Sequence, residues 1–161
     1  MLDSGERRLD LEPVDATAVV TDVLLGFYVG FERKGVEPTV DLPEESLQVL
    51  ADQTALARVV RNLVANALSH TTGGVRVRLA PVGERVCLEV ANRAEGTDPA
   101  TVPLMFERFY RADRARTGAH AGLGLSLVAE LVRQMSGSLG AELVGQGASA
   151  ELVIRVELPR P

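Results

Sequence analysis

Cysteine is nearly absent from this chain: Cys87 is the only one in 161 residues. That excludes an internal disulfide and fits a reducing compartment. Cys87 sits in an apolar, strand-like run and reads as buried filler. Long apolar runs are missing as well. The longest, 23–31, is broken by Gly26 and Gly30 and falls short of the roughly 18–20 residues that span a bilayer. Asp3, Glu6, Arg7 and Arg8 follow Met1 closely, so no secretory signal is read there. Positive charge is not in excess either. Seventeen Lys and Arg face 22 Asp and Glu, a net charge of −5, which argues against a nucleic-acid binder with its basic stripe. Neither G-x-x-x-x-G-K-[ST] nor G-x-G-x-x-G occurs, so both of those phosphate loops are excluded. No repeat or low-complexity segment is found.

What remains is ordinary globular material, 46% hydrophobic and 24% charged, long enough for one domain with a real core. The organising stretch is 52–71. Its apolar residues Leu56, Val59, Val60, Leu63, Val64, Ala67 and Leu68 recur at steps of three and four, the spacing of an amphipathic helix. Asn62 and Asn66 are one turn apart and share a face, with Arg58 one turn earlier. Asparagine is a poor helix-interior residue. Two in register fit either a solvated face or a polar lining whose amide oxygens hold a hard cation such as Mg²⁺.

Around this helix the chain alternates between periods. Asp15 is a helix N-cap for a continuous helix to about Lys34, with Val19, Val20, Val23, Leu24, Phe27, Tyr28 and Phe31 inward and Gly35 as its C-cap. Residues 36–42 and 47–51 read as short strands joined by a turn at Pro43. Val75, Val77 and Leu79, then Val86, Leu88 and Val90, alternate with polar residues as a hairpin. From 92 to 121 the pattern dissolves, apart from a helical fragment around 101–106. A helix follows at 122–136, then strands at 139–144 and 150–158. Three main helices over one mixed or largely antiparallel sheet predict an α+β protein, a two-layer α/β sandwich.

Two further features bear on chemistry. Gly122-Leu123-Gly124-Leu125 enters a helix from an irregular basic segment, and unpaired N–H groups at a helix start attract anions. That segment carries Arg108, Arg111, Arg114 and Arg116 against Glu107 and Asp113. It reads as a solvated charge run or as a lid whose arginines fold over a polyphosphate. Together with the asparagine face these features point to a magnesium nucleotide.

The stretch 62–71, Asn-Leu-Val-Ala-Asn-Ala-Leu-Ser-His-Thr, resembles the N box of sensor histidine kinases. Phe106-Glu107-Arg108-Phe109-Tyr110-Arg111 resembles their F box, and Gly122-Leu123-Gly124-Leu125 their G2 box. Leu9 to Asp15 resembles the usual entry to the ATP-binding domain, and Leu158-Pro159 its end. The resemblance implies a Bergerat-type sandwich, with residues 1–13 as a lead-in like the end of a dimerisation hairpin. Residues 14–161 would form the catalytic and ATP-binding domain, with a lid at about 107–121.

The same resemblance implies the cofactors ATP and Mg²⁺. Asn66 matches the Mg²⁺-coordinating asparagine, and Asn62 lines the phosphate side. Arg116 and Arg111 belong to the lid, with Arg116 reaching the terminal phosphates. The backbone at Gly122, Leu123, Gly124 and Leu125 cradles phosphate, and Phe106 and Phe109 anchor the lid. In related ATPases a glutamate that activates water stands at position 62; an amide cannot act as that base, so transfer is favoured over hydrolysis. The first glycine motif departs from the family's Asp-x-Gly-x-Gly and reads Asn92-Arg93-Ala94-Glu95-Gly96. Asn92 would accept the adenine amino group without charge assistance, beside Gly96. Ser69 stands where a basic residue is common, and His120 and Ala121 where glycine or a small polar residue is. Neither His70 nor His120 resembles a phosphoacceptor.

The implied partners are the dimerisation and phosphoacceptor domain of a longer parent kinase and a downstream response regulator. The fragment itself is expected to be monomeric and cytoplasmic; the parent is expected to be a homodimer, with an inner-membrane anchor as one option. Two other functions fit the residues: a degenerate nucleotide-binding module that acts by docking, and an anti-sigma-factor-type serine kinase.

Overall fold

A computed structural model describes residues 8–107 and 124–161. Seven strands and four α-helices are found among them. In chain order these are β1 (Glu12–Asp15), α1 (Ala16–Gly26), α2 (Tyr28–Lys34), β2 (Thr39–Asp41), β3 (Gln48–Ala51) and α3 (Gln53–His70). They continue with β4 (Val75–Val82), β5 (Arg85–Arg93), α4 (Gly124–Gln134), β6 (Ser138–Val144) and β7 (Glu151–Pro159), with a 3₁₀ helix at Pro99–Leu104. The main sheet has the order β2-β4-β5-β7-β6. Its β2–β4 pair is parallel and the rest are antiparallel. The second sheet is the antiparallel pair β1–β3. This is the two-layer α+β sandwich that the patterning predicts.

The core lies where the sheet's inward period-2 residues meet the helices' period-3.6 stripes. Val77 on β4, Val90 on β5 and Val156 on β7 face Val59, Val60, Leu63 and Val64 of α3 and Val128 and Val132 of α4, all buried. Each such aliphatic side chain contributes about 1.5–3 kcal/mol by leaving water. The chain can return from α4 to β6 because residue 137 is glycine: a Cβ there would lie 2.6 Å from the Glu157 carbonyl oxygen. The opposite sheet face is polar. Glu89 on β5 pairs with Arg76 on β4 and, at 3.0 Å, with Arg155 on β7; Arg155 also reaches Glu142 on β6 at 2.8 Å. Arg76 adds Glu151 at 3.0 Å. Cys87 lies half-buried on this side of β5, and burial pushes its thiol up.

Several expectations are corrected. The helix from Asp15 is not continuous to Lys34: it breaks at Phe27, whose N–H turns back to Leu24 and Leu25, and restarts as α2. Gly26 just before the break is a weak helix residue. Phe27 and Phe31 turn toward the core as expected, with ring centroids 6.5 Å apart, while Tyr28 at the start of α2 is 63% exposed rather than inward. The ends of this segment do match, with Asp15 accepting from the Ala18 N–H at 3.0 Å and Gly35 left-handed at φ 72°. Strands β2 and β3 are not paired across Pro43. β2 joins β4 and β3 joins β1, which places Glu12 and Pro13 of the expected lead-in within a strand.

Candidate functional site

Helix α3 is held at both ends. Asp52 caps its start, accepting from the Ala55 N–H at 2.9 Å through one carboxylate oxygen and from the Asp10 N–H at 3.0 Å through the other. At its far end the Lys34 ammonium, from the last turn of α2, donates to the carbonyls of Leu68 and Ser69. A cation satisfies the orphan carbonyls of a helix end and complements its dipole. The Leu56–Ala67 stripe is pinned to the sheet, which turns Asn62 and Asn66 to the edge of the core, where both are half-buried. Arg58, on the same stripe, is exposed.

The two asparagines differ in their bonding. The Asn62 amide nitrogen donates to the carbonyl oxygen of Gly124, the first residue of α4, at 3.3 Å. This bond ties the start of α4 to α3. The Asn66 amide nitrogen is buried with no hydrogen-bond partner among the described residues. An unpaired buried amide costs about 1–3 kcal/mol, and such a cost is accepted where a ligand completes the bonding. Among the described residues no group of three or more His, Cys, Asp or Glu could hold a metal by itself. Any cation here would therefore share its coordination with a ligand's oxygens, as Mg²⁺ does with phosphates.

Beside this face β5 ends in the altered glycine motif. Asn92 is 2% exposed and donates through its amide nitrogen to the Arg93 carbonyl at 3.0 Å, which leaves the oxygen end of the amide to accept. Ala94 is buried in the core, and its N–H donates to the Ala150 carbonyl at 2.8 Å. Gly96 turns the chain at φ 84°, a conformation that side chains rarely adopt. Phe106 and Leu125 are partly buried and pack on the core cluster. The expected helical fragment near 101–106 is the Pro99–Leu104 3₁₀ helix, capped by Asp98, whose carboxylate accepts from the Ala100 N–H. Arg111, Arg116, Gly122 and Leu123, with Phe109, His120 and Ala121, lie outside the described residues.

The structure thus brings Asn62 and Gly124 together, places Asn66 on the same helix face and sets Asn92 near the end of β5, with Gly96 in the loop that follows. Sequence reasoning missed Lys34 and the donor role of Asn92. Lys34 carried a usable signal, a basic residue in a helix's last turn before a glycine cap.

Comparisons with known proteins bear on the fold and the family. The family model for histidine kinase-, DNA gyrase B- and HSP90-like ATPases matches residues 51–160. The sensor histidine kinase MtrB of Mycobacterium tuberculosis is 35% identical over 156 residues, 94% of this chain and 28% of MtrB. The chain therefore spans under a third of that relative. The solved structure of the mycobacterial sensor histidine kinase MprB is 31% identical with a TM-score of 0.79, covering 94% of this chain and 99% of that one. Full-length ShkA in complex with AMPPNP is 27% identical with a TM-score of 0.79, over 96% of this chain and 32% of that one. The chain belongs to the histidine kinase-, DNA gyrase B- and HSP90-like ATPase family, as the ATP-binding catalytic domain of a sensor histidine kinase.

Proposed function

We propose that this domain binds Mg²⁺–ATP and passes its γ-phosphoryl group to a histidine on the dimerisation domain of a longer parent kinase, which then serves a response regulator. The observation that carries the reading is the buried Asn66 amide nitrogen, without a partner among the described residues and so a donor open to a phosphate oxygen, one turn from the Asn62 bond that positions the start of α4. The ATP analogue in the similar kinase ShkA supports the same ligand class.

In this reading the Asn66 amide nitrogen would donate to a phosphate oxygen, and its amide oxygen would hold Mg²⁺ as the family resemblance implies, the ion supplying charge neutralisation at the phosphates. The first turn of α4, from Gly124 and Leu125, offers backbone N–H groups to the phosphates. Gly122, Leu123, Arg111 and Arg116 keep the roles the family resemblance gives them. Asn62 holds α4 and lines the phosphate side; as an amide it takes no proton from water, which favours transfer to an acceptor. The oxygen of Asn92 accepts the adenine amino group, with Gly96 beside it, and Phe106 fixes the base of the lid. His70 ends α3 and is not the acceptor. The parent acts as a homodimer, with this domain on the cytoplasmic side and separate from nucleic acid. No helix among the described residues is long and apolar enough to cross a membrane.

A second reading, a docking module with little nucleotide affinity, is favoured by the neutral Asn92 and the buried Ala94 in the glycine motif. Exchanging a charge-assisted hydrogen bond for a neutral one costs about 1–1.5 kcal/mol, roughly five- to tenfold in affinity. Calorimetric titration with ATP and ADP, with and without Mg²⁺, separates the two. Saturable Mg²⁺-dependent binding is expected; a folded domain with no binding at millimolar nucleotide selects the docking module. Transfer of labelled γ-phosphoryl to an added phosphoacceptor domain then tests the reaction itself.

A further inference from the structure

Three segments meet at the end of the sheet beside α3: 71–74 after α3, 92–96 at and beyond the end of β5, and 147–150 before β7. Hydrogen bonds lace them together. The Arg93 N–H donates to the Gly74 carbonyl at 2.9 Å, and the Glu95 N–H to the Thr72 hydroxyl at 3.1 Å. On the other side the Ala94 N–H reaches the Ala150 carbonyl, and the Arg93 guanidinium the Ala148 carbonyl at 2.9 Å. The node is the Arg93 carbonyl oxygen. It accepts from the Thr72 N–H at 3.0 Å and from the Asn92 amide nitrogen at 3.0 Å. A carbonyl has two lone pairs, and here both are used. Asn92 is 2% exposed, so water cannot take over its bond.

A carboxylate has the shape of this amide but no hydrogen to give. At position 92 it would set a negative charge against the Arg93 carbonyl where water is excluded. An alanine would only remove one of two donors. We infer that Asn92 is a positioning residue: its amide nitrogen holds the Arg93 carbonyl, and with it the 71–74 turn. This chain therefore needs an amide, and not a carboxylate, at position 92. The link to ligand binding rests on the nucleotide site proposed above.

The order of fitness at position 92 is then amide, methyl, carboxylate, although aspartate is the isosteric change. A residue whose only task was to accept from adenine would rank aspartate first. The test is Asn92→Asp and Asn92→Ala in the 161-residue chain, read by urea denaturation, by hydrogen exchange at the Thr72 amide and by calorimetric ADP affinity with Mg²⁺. Asn92→Ala is expected to speed Thr72 exchange about fivefold, the worth of one neutral hydrogen bond, and to weaken ADP by more than that because it also removes the acceptor for adenine. Asn92→Asp should be worse in stability and in Thr72 exchange, while it keeps an acceptor for adenine. An aspartate variant as stable as the native chain, or one whose Thr72 exchange is no faster than that of the alanine variant, overturns the inference. Should the aspartate variant fail to fold, unchanged Thr72 exchange in Asn92→Ala overturns it instead. Absence of ADP binding by the native chain would remove the nucleotide reading, while denaturation order and Thr72 exchange still decide the role of Asn92.

Discussion

The outer face of the sheet and the α3–α4 edge are both polar, yet they treat their polar groups in opposite ways. On the sheet, Glu89 answers Arg76 and Arg155, Arg155 answers Glu142, and Arg76 answers Glu151, so charge is closed within the protein. At the helix edge one amide, on Asn62, is spent on the protein's own backbone, and the next, on Asn66, is buried and left open. Polarity alone therefore does not mark a site. A satisfied polar group contributes to stability, whereas a buried unsatisfied one lowers stability and is retained for something that arrives later.

Replacing Asn66 with alanine breaks this comparison most strongly. It removes the open amide at little structural cost, so Mg²⁺-dependent nucleotide binding should fall by about a hundredfold or more, the scale expected when a charge-assisted bond and its ion are removed together. Thermal stability should hold or rise. Asn62→Ala inverts the pattern: it cuts the bond to Gly124, lowers stability by about 1 kcal/mol and weakens nucleotide binding less than Asn66→Ala does. Calorimetry and denaturation on the pair check both. Equal losses of affinity and of stability in the two variants would mean that the asparagines do not divide their labour.

That division was only half legible in the sequence. The 3.6 period over 52–71 located α3, and the i, i+4 spacing put both amides on one face, because helix geometry is local. The β4–β5 hairpin was legible for the same reason: its alternation is strong and its turn is short, closing at Gly83 with φ 62°. Pairing between distant segments was not. Three exposed residues of β2 carry no pattern that says which strand they join, and Glu12–Asp15 becomes a strand only because β3 lies beside it. The exposed Tyr28 follows a break at Phe27 that the continuous periodicity does not show. Which end of the Asn92 amide the protein uses depends on the Arg93 carbonyl that Thr72 also needs, a meeting of two loops that are far apart in the chain.

The closed charge network sharpens the comparison from the other side through its pH dependence. Burial opposes ionisation of Glu89, but the hydrogen bonds from Arg76 and Arg155 outweigh it and hold the carboxyl below its ordinary range. A carboxyl with a depressed folded value stabilises the fold fully above its unfolded value, and that share is lost as pH falls through the folded one. Native protein should therefore lose stability on acidification below about pH 4.5, and Glu89→Gln should lose less over the same window. At neutral pH the variant should be about 1–2 kcal/mol less stable, since the two arginines stay partly hydrated. Its ADP affinity should match the native value, because the network lies on the sheet face away from α3. Parallel acid titrations of the two chains would refute the assignment.

The smallest effect is expected at Lys34, where the two kinds of polar group meet. Its ammonium closes carbonyls of Leu68 and Ser69, just beyond the open amide of Asn66 along α3. Gly30 brings α2 close enough for this, since a Cβ there would lie 3.1 Å from a Leu68 methyl. Lys34 is exposed, so water replaces much of what it gives, and Lys34→Ala should cost only about 0.3–1 kcal/mol. For a chain of this size that corresponds to roughly 1–4 °C in Tm. Added salt should shrink the difference, because the attraction between an exposed cation and a helix end is screened. ADP affinity should stay within about twofold, the clamp being a satisfied group like those of the sheet. A tenfold loss of affinity in a folded Lys34→Ala chain would show that the end of α3 must be held for Asn66 to work, and the satisfied and open groups would then be parts of one site.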